Sequence, residues 1–152
     1  MGIRLSTETA AARLIGRVSR VAGRGGGTTL PGKLLWKLDR GAVGELARRL
    51  PDGAVVVSAT NGKTTTSTML AELLGRSHRL AWNNSGANLT SGVSSALLSA
   101  RDAELGLFEV DEFALPAVVE TVRPRVVALG NLFRDQLDRY GELEHIAERW
   151  RT

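Results

Sequence analysis

Between residues 54 and 129 the chain alternates short, continuously apolar runs with longer amphipathic ones. Ala54 to Ser58 reads as a buried strand, and Thr64 to Leu74 as a helix ended by Gly75. Residues 79 to 82 predict a short strand, Leu89 to Ser99 a helix, and Glu104 to Val110 a second long strand. Ala114 to Val122 is a helix stopped by Pro124, and Arg125 to Leu129 a further apolar strand. Strands apolar on both faces and separated by helices predict an α/β fold, a mostly parallel sheet flanked by helices.

The flanking segments read differently. Residues 6 to 22 predict an amphipathic helix, with Ser6 or Thr7 as N-cap. Leu14, Val18 and Val21 share one face, and Arg13, Arg17, Arg20 and Arg24 another. A glycine-rich break from Gly23 to Gly27 ends at Pro31-Gly32, and a short helix over Ala42 to Leu50 closes at Pro51-Asp52-Gly53. The expected division is therefore an N-terminal helical and loop segment, 1–50, and an α/β domain, 51–152. Glu142 to the C-terminus predicts a helix that reaches Trp150-Arg151-Thr152 without glycine, proline or cap, so the pattern reads as an incomplete protein, either a fragment or a prematurely ended reading frame.

Polar clusters follow the strands at 59–66, 109–112 and 130–138, and ligands of such sheets bind beyond the carboxyl ends of the strands. The first cluster, Ala59-Thr60-Asn61-Gly62-Lys63-Thr64-Thr65, joins a strand to a helix through a small polar turn. Amide groups at a helix N-terminus converge on an anion, and the helix dipole favours its charge. Lys63 is placed to meet the β- and γ-phosphates of a nucleotide, the Thr64 hydroxyl to bind Mg²⁺, and Gly62 to let backbone approach phosphate. The general pattern G-x-x-x-x-G-K-[ST] would put its first glycine at Val57, so this is a shorter loop.

The second cluster, Glu109-Val110-Asp111-Glu112, offers carboxylates opposite that loop. Glu109 is the first choice for a magnesium position, and with Lys63 the candidate catalytic pair. Asp111 points to the same side if the strand continues, and Glu112 reads as a cap for the helix near Ala114. In the third, Asn131 reaches toward the nucleotide crevice, and Asp135, Gln136 and Asp138 suit metal-bound water or nucleotide; Asp138 equally suits pairing with Arg134 or Arg139. The loop Asn83 to Gly92 presents Asn84, Ser85, Gly86 and Asn88 as donors for a phosphate or an incoming carboxylate. Asn88 is also a candidate N-cap for the helix that follows.

Composition narrows the classes. The chain has 152 residues, enough for one core, and 43% hydrophobic content. It has no cysteine, which excludes disulfides and thiolate metal sites within it. No apolar run approaches the roughly 20 residues of a membrane-spanning helix, and no secretory signal is visible, so a cytoplasmic site is expected. The net charge of +4 comes with no aromatic-interleaved basic patch, which argues against nucleic acid as partner. The arginine stripe beside the apolar stripe of residues 6–22 suits peripheral contact with an anionic membrane face.

With Leu30-Pro31-Gly32-Lys33, the loop 60–66, the segment 84–92, the acidic strand end and Asn131 to Glu142 in view, the chain resembles the Mur ligase family. It is similar to the N-terminal part of that family's ATP-binding central domain. Ala59 stands where the family loop G-T-[ND]-G-K-[ST] has its leading glycine. Gln136 stands where amino-acid-adding members have histidine, and the lipid II isoglutaminyl synthase branch has glutamine there.

The resemblance implies that ATP phosphorylates the α-carboxyl of D-glutamate in the lipid II stem peptide. Ammonia from a partner glutaminase of the cobyric-acid-synthase-like class then gives D-isoglutamine. It assigns the phosphate cradle to Thr60, Asn61, Gly62, Lys63, Thr64 and Thr65, magnesium to Thr64 and Glu109, and the nucleotide environment to Asn131, Asp135, Gln136 and Asp138. It also implies a zinc ribbon and a C-terminal domain that this sequence lacks, so no zinc ligands are expected within it and these residues alone are expected to be inactive. The alternatives are an amino-acid-adding Mur or folylpolyglutamate synthase type of ligase, and a non-catalytic remnant that binds a partner.

Overall fold

The computed structural model describes residues 29–84, 87–132, 146, 148, 150 and 151. Helices α1 (Leu30–Leu38) and α2 (Arg40–Ala47) lead into strand β1 (Ala54–Ser58) and helix α3 (Lys63–Leu74). Strand β2 (Leu80–Trp82), helix α4 (Thr90–Ser99), strand β3 (Leu105–Glu109), helix α5 (Leu115–Val122) and strand β4 (Val126–Leu129) follow. All strand pairs are parallel, in the order β2-β3-β1-β4. The alternation expected from the sequence is thus the observed α/β architecture.

One element departs from expectation. Pro31-Gly32 opens α1 instead of ending a loop, because proline has no N–H to lose in a first helical turn and its φ already suits a helix. The turn between α1 and α2 is set by Asp39, whose side chain accepts from the Ala42 N–H at 3.0 Å. α1 crosses α4 at Gly32, whose N–H donates to Ser95 Oγ at 3.1 Å. Helix α5 ends at Arg123 in the left-handed conformation, φ 51°, just before Pro124. The predicted helix over 6–22 and most of that from Glu142 lie outside the described residues.

The two faces of the sheet are covered unequally. One packs Val56, Phe108 and Ala81 against Leu35, Trp36, Val43, Leu46, Val93, Leu97 and Val118, so α1, α2, α4 and α5 share a single core. The other packs Val57 and Leu107 against Ala71 of α3, with Val55, Leu80, Trp82 and Ala128 at its margin. Strand β4 is apolar but half exposed among the described residues, with Val126 at 51% and Leu129 at 53%.

At the opposite end of the sheet, Glu104 clips β2 to β3. The Arg79 N–H donates to Glu104 Oε2 at 3.0 Å, and the Arg79 guanidinium lies 2.8 Å from Oε1. The backbone hydrogen bond first, then the Arg79 charge, outweigh desolvation and hold this carboxyl below its ordinary value.

Two outcomes follow from this packing. Phe108 is fully buried, so Phe108→Ala is expected to cost about 3–5 kcal/mol of stability, read as a lower urea midpoint. A carboxyl with a depressed value stabilises the fold above its ordinary titration point and stops doing so as pH falls through the depressed one. Glu104→Gln is therefore expected to lower the melting temperature at neutral pH, and the difference to close in acid below pH 4.5. A difference that persists at pH 2 would mean that the charge is not what matters.

Candidate functional site

The register of the parallel sheet builds the site. Val57 lies beside Glu109, and Ser58 beside Leu129. The loop leaving β1, the end of β3 and the end of β4 therefore emerge together at one edge.

Gly62 precedes α3 with φ 83° and ψ 0°. A Cβ built on Gly62 meets nothing within 4 Å, so the requirement there is backbone conformation and not crowding. The amides of the first helical turn have no acceptor within a helix, and the 5→1 bonds begin only with the Thr66 N–H to the Gly62 carbonyl at 2.9 Å. Ala59 is buried, and its methyl fits because Gly130 lies opposite, where a Cβ would come within 2.7 Å. The alanine in place of a leading glycine is thus matched by a glycine on the neighbouring strand end.

Asn131 fastens the loop from that same strand end. Its carbonyl accepts from the Thr60 N–H at 2.7 Å, and its Oδ1 accepts from the Asn61 N–H at 3.1 Å. The side chain expected to reach into the crevice is engaged with the loop itself.

Lys63 is buried, and its ammonium turns back under the loop. It donates to the Ala59 carbonyl, to the Thr60 carbonyl at 3.2 Å and to Glu112 Oε2 at 3.2 Å. Beside it, the Thr64 hydroxyl donates to Glu109 Oε1 at 3.1 Å. The two residues expected to share a cation are therefore already neighbours, although one lies on α3 and the other on β3. Thr65 is exposed in the first turn of the same helix.

The acidic cluster divides its labour. Strand β3 ends at Glu109, so Asp111 does not continue its alternation. Asp111 Oδ1 instead accepts from the Phe113 N–H at 3.1 Å, shaping the turn into α5. Glu112 does not cap α5, which has no side-chain cap; it pairs with Lys63 across 49 positions of sequence. Pairing over that distance leaves no local pattern, so by its sequence alone Glu112 reads as a cap.

Asn83, a residue sequence reasoning did not single out, fixes Glu109 from the side of β2. Its Oδ1 accepts from the Glu109 N–H at 2.9 Å, and its Nδ2 donates to the Glu109 carbonyl at 2.7 Å and to the Ala87 carbonyl at 3.0 Å. The only available signal was an asparagine directly after a strand. Asn84 is exposed, while Asn88 gives its carbonyl to the Asp111 N–H at 2.7 Å and does not cap α4. Ser85, Gly86, Asp135, Gln136 and Asp138 lie outside the described residues.

Among the described residues, no three His, Cys, Asp or Glu side chains are placed together to hold a metal. One hydroxyl beside one carboxylate is nevertheless the set that suits Mg²⁺, which keeps waters and takes few protein ligands. No helix among the described residues is long and apolar enough to cross a membrane.

Comparison with known proteins gives the family. Residues 57–151 match the model of the Mur ligase middle domain. The chain is 38% identical over 136 residues to the lipid II isoglutaminyl synthase (glutamine-hydrolyzing) subunit MurT of Staphylococcus aureus strain N315, covering 88% of this chain and 31% of that protein. It is 33% identical over 146 residues to the MurT subunit of Streptococcus pneumoniae, covering 91% of this chain and 32% of that protein. A crystal structure of MurF from Acinetobacter baumannii superposes with a TM-score of 0.63 at 21% identity, over 78% of this chain and 26% of that one, a likeness of fold. The chain thus spans about a third of the length of the curated relatives it matches. On the family model and these identities together, the chain belongs to the Mur ligase family.

Proposed function

We propose that this chain is the nucleotide-binding part of an ATP-dependent amide-forming ligase of peptidoglycan synthesis. The reaction assigned is amidation of the α-carboxyl of D-glutamate in the lipid II stem peptide. The observation that carries it is the meeting of Lys63, Thr64, Glu109 and Asn131 at the carboxyl ends of neighbouring strands, in a chain similar to two subunits named lipid II isoglutaminyl synthase.

A carboxylate resists nucleophilic attack because its charge and resonance make it a poor acyl donor. A carboxylate oxygen attacks the γ-phosphorus of ATP, the bond to ADP breaks, and an acyl phosphate forms. Ammonia then attacks the carbonyl carbon, inorganic phosphate leaves with the bonding pair, and a proton is lost from nitrogen to give the amide. The transfer needs mostly positioning and neutralised charge. The first-turn amides of α3 and the Lys63 ammonium supply donors for the β- and γ-phosphates. Thr64 and Glu109 would hold Mg²⁺, which supplies further neutralisation of the phosphate oxygens when bound. Asn131 keeps the loop in shape, and Asn83 keeps Glu109 in place.

The ammonia source assigned is a partner glutaminase, in keeping with the words "glutamine-hydrolyzing" and "subunit" in the relatives' names. The substrate is lipid-linked, and the arginine-striped segment 6–22 is assigned to the anionic membrane face that carries it. The amino-acid-adding alternative finds support in a weaker relation, 37% identity over 105 residues to the UDP-N-acetylmuramoylalanine--D-glutamate ligase of Anaeromyxobacter dehalogenans.

Lys63→Ala in the intact enzyme is expected to lose about 3 kcal/mol or more of transition-state stabilisation, a drop of at least about 100-fold in ATP-dependent amidation. Near-normal turnover in that variant would remove Lys63 from the chemistry. Calorimetric titration of these 152 residues alone with ATP is expected to show weak binding and no amidation. Micromolar affinity would show that the described site is sufficient for the nucleotide.

A further inference from the structure

We propose that Glu112 is a resident counter-anion that holds Lys63 until a phosphate displaces it, a reading that rests on the nucleotide site assigned above. An alkylammonium has three N–H groups. Two of those on Lys63 go to carbonyls of the loop itself, those of Ala59 and Thr60, whose positions are set by the loop backbone. The third goes to Glu112 Oε2, on a side chain from the turn between β3 and α5. A phosphate oxygen that accepts a hydrogen bond from Lys63 while the loop stays intact must accept this third one. Glu112 therefore stands in for the ligand.

The burial of the pair gives it consequence. The Lys63 side chain is 9% exposed and that of Glu112 2%. An ammonium so buried needs an anion nearby, since an unpaired buried charge is strongly destabilising. Residue 112 is also held at its backbone, where its carbonyl accepts from Trp150 Nε1 at 3.1 Å. The carboxylate is thus presented from a fixed turn to a fixed lysine. Glu109, the neighbouring carboxylate, is occupied with the Thr64 hydroxyl, which leaves Glu112 as the partner of the ammonium.

Glu112 therefore acts as a positioning residue with two opposed effects. It stabilises the loop without nucleotide, and it competes with the nucleotide for the same proton donor. The expectation differs from that of an ordinary structural ion pair, whose loss loosens the site and weakens binding.

The test is ADP binding to the intact protein and to its Glu112→Gln variant, with adenosine as a ligand that has no phosphate. Glu112→Gln keeps the shape and an acceptor but removes the competing charge. It is expected to lower the melting temperature without ligand, to tighten ADP binding about 5- to 10-fold, and to leave adenosine binding unchanged. Glu112→Asp, which keeps the charge on a shorter arm, is expected to fall between the two and covers the case in which the glutamine variant does not fold. Unchanged or weaker ADP binding in the variants overturns the role of Glu112 while leaving the site itself standing. An intact protein that does not bind ADP at all overturns both.

Discussion

The site depends on one constraint, the in-register parallel pairing of β1 with β3 on one side and β4 on the other. Parallel strands point their carboxyl ends the same way, and the central one is the strand that leads into the Gly62-Lys63-Thr64 loop. A slip of one residue in β3 would reverse the faces of its side chains and carry Glu109 away from Thr64. A slip in β4 would move Asn131 away from the loop amides it satisfies. Register is in turn fixed by burial: Phe108 and Val56 face the core of α1, α2, α4 and α5, while Leu107 and Val57 face α3. The core thus specifies the chemistry indirectly, by allowing only one alignment of the strands.

Much of this was legible because the signals were local. Apolar runs such as Val55-Val56-Val57 and Val126-Val127-Ala128-Leu129 set the strands, and Gly62-Lys63-Thr64 set the loop and its helix. Glycine at Gly62 was expected for close approach to a ligand; its observed need is a positive φ. What stayed hidden was long-range. Helix α1 is hidden in the sequence because Pro31-Gly32 is a turn signal in most settings, and packing against α4 makes it a helix start. The roles of Asn83 and Glu112 were missed because their partners are distant in sequence.

Strand β4 shows the converse. Its sequence is that of a strand covered on both faces, yet Val126, Val127 and Leu129 are substantially exposed among the described residues. Val127 and Leu129 line a groove with Phe113, Leu115, Val119 and Trp150. Apolar pattern reports the environment a strand was selected for, which need not be supplied by the residues described here. An edge strand of this kind is a pairing surface by its chemistry, since its outer N–H and C=O groups have no ladder partner among the described residues.

For the nucleotide site proposed above, the charge balance at the loop sets the form in which a nucleotide could approach. Glu109 and Glu112 both stand within reach of the loop; Lys63 pairs with Glu112, and Glu109 accepts from the Thr64 hydroxyl. Both carboxylates are almost fully buried, so their charges are poorly screened by water. A bare triphosphate approaching this edge would meet two fixed anions and one lysine already engaged. A triphosphate carrying a divalent cation brings the positive charge that Glu109 lacks, and it offers Lys63 a stronger anion than Glu112. On the proposed reading of the site, this arrangement of charges would favour the metal complex of the nucleotide over the free nucleotide, before any reaction takes place.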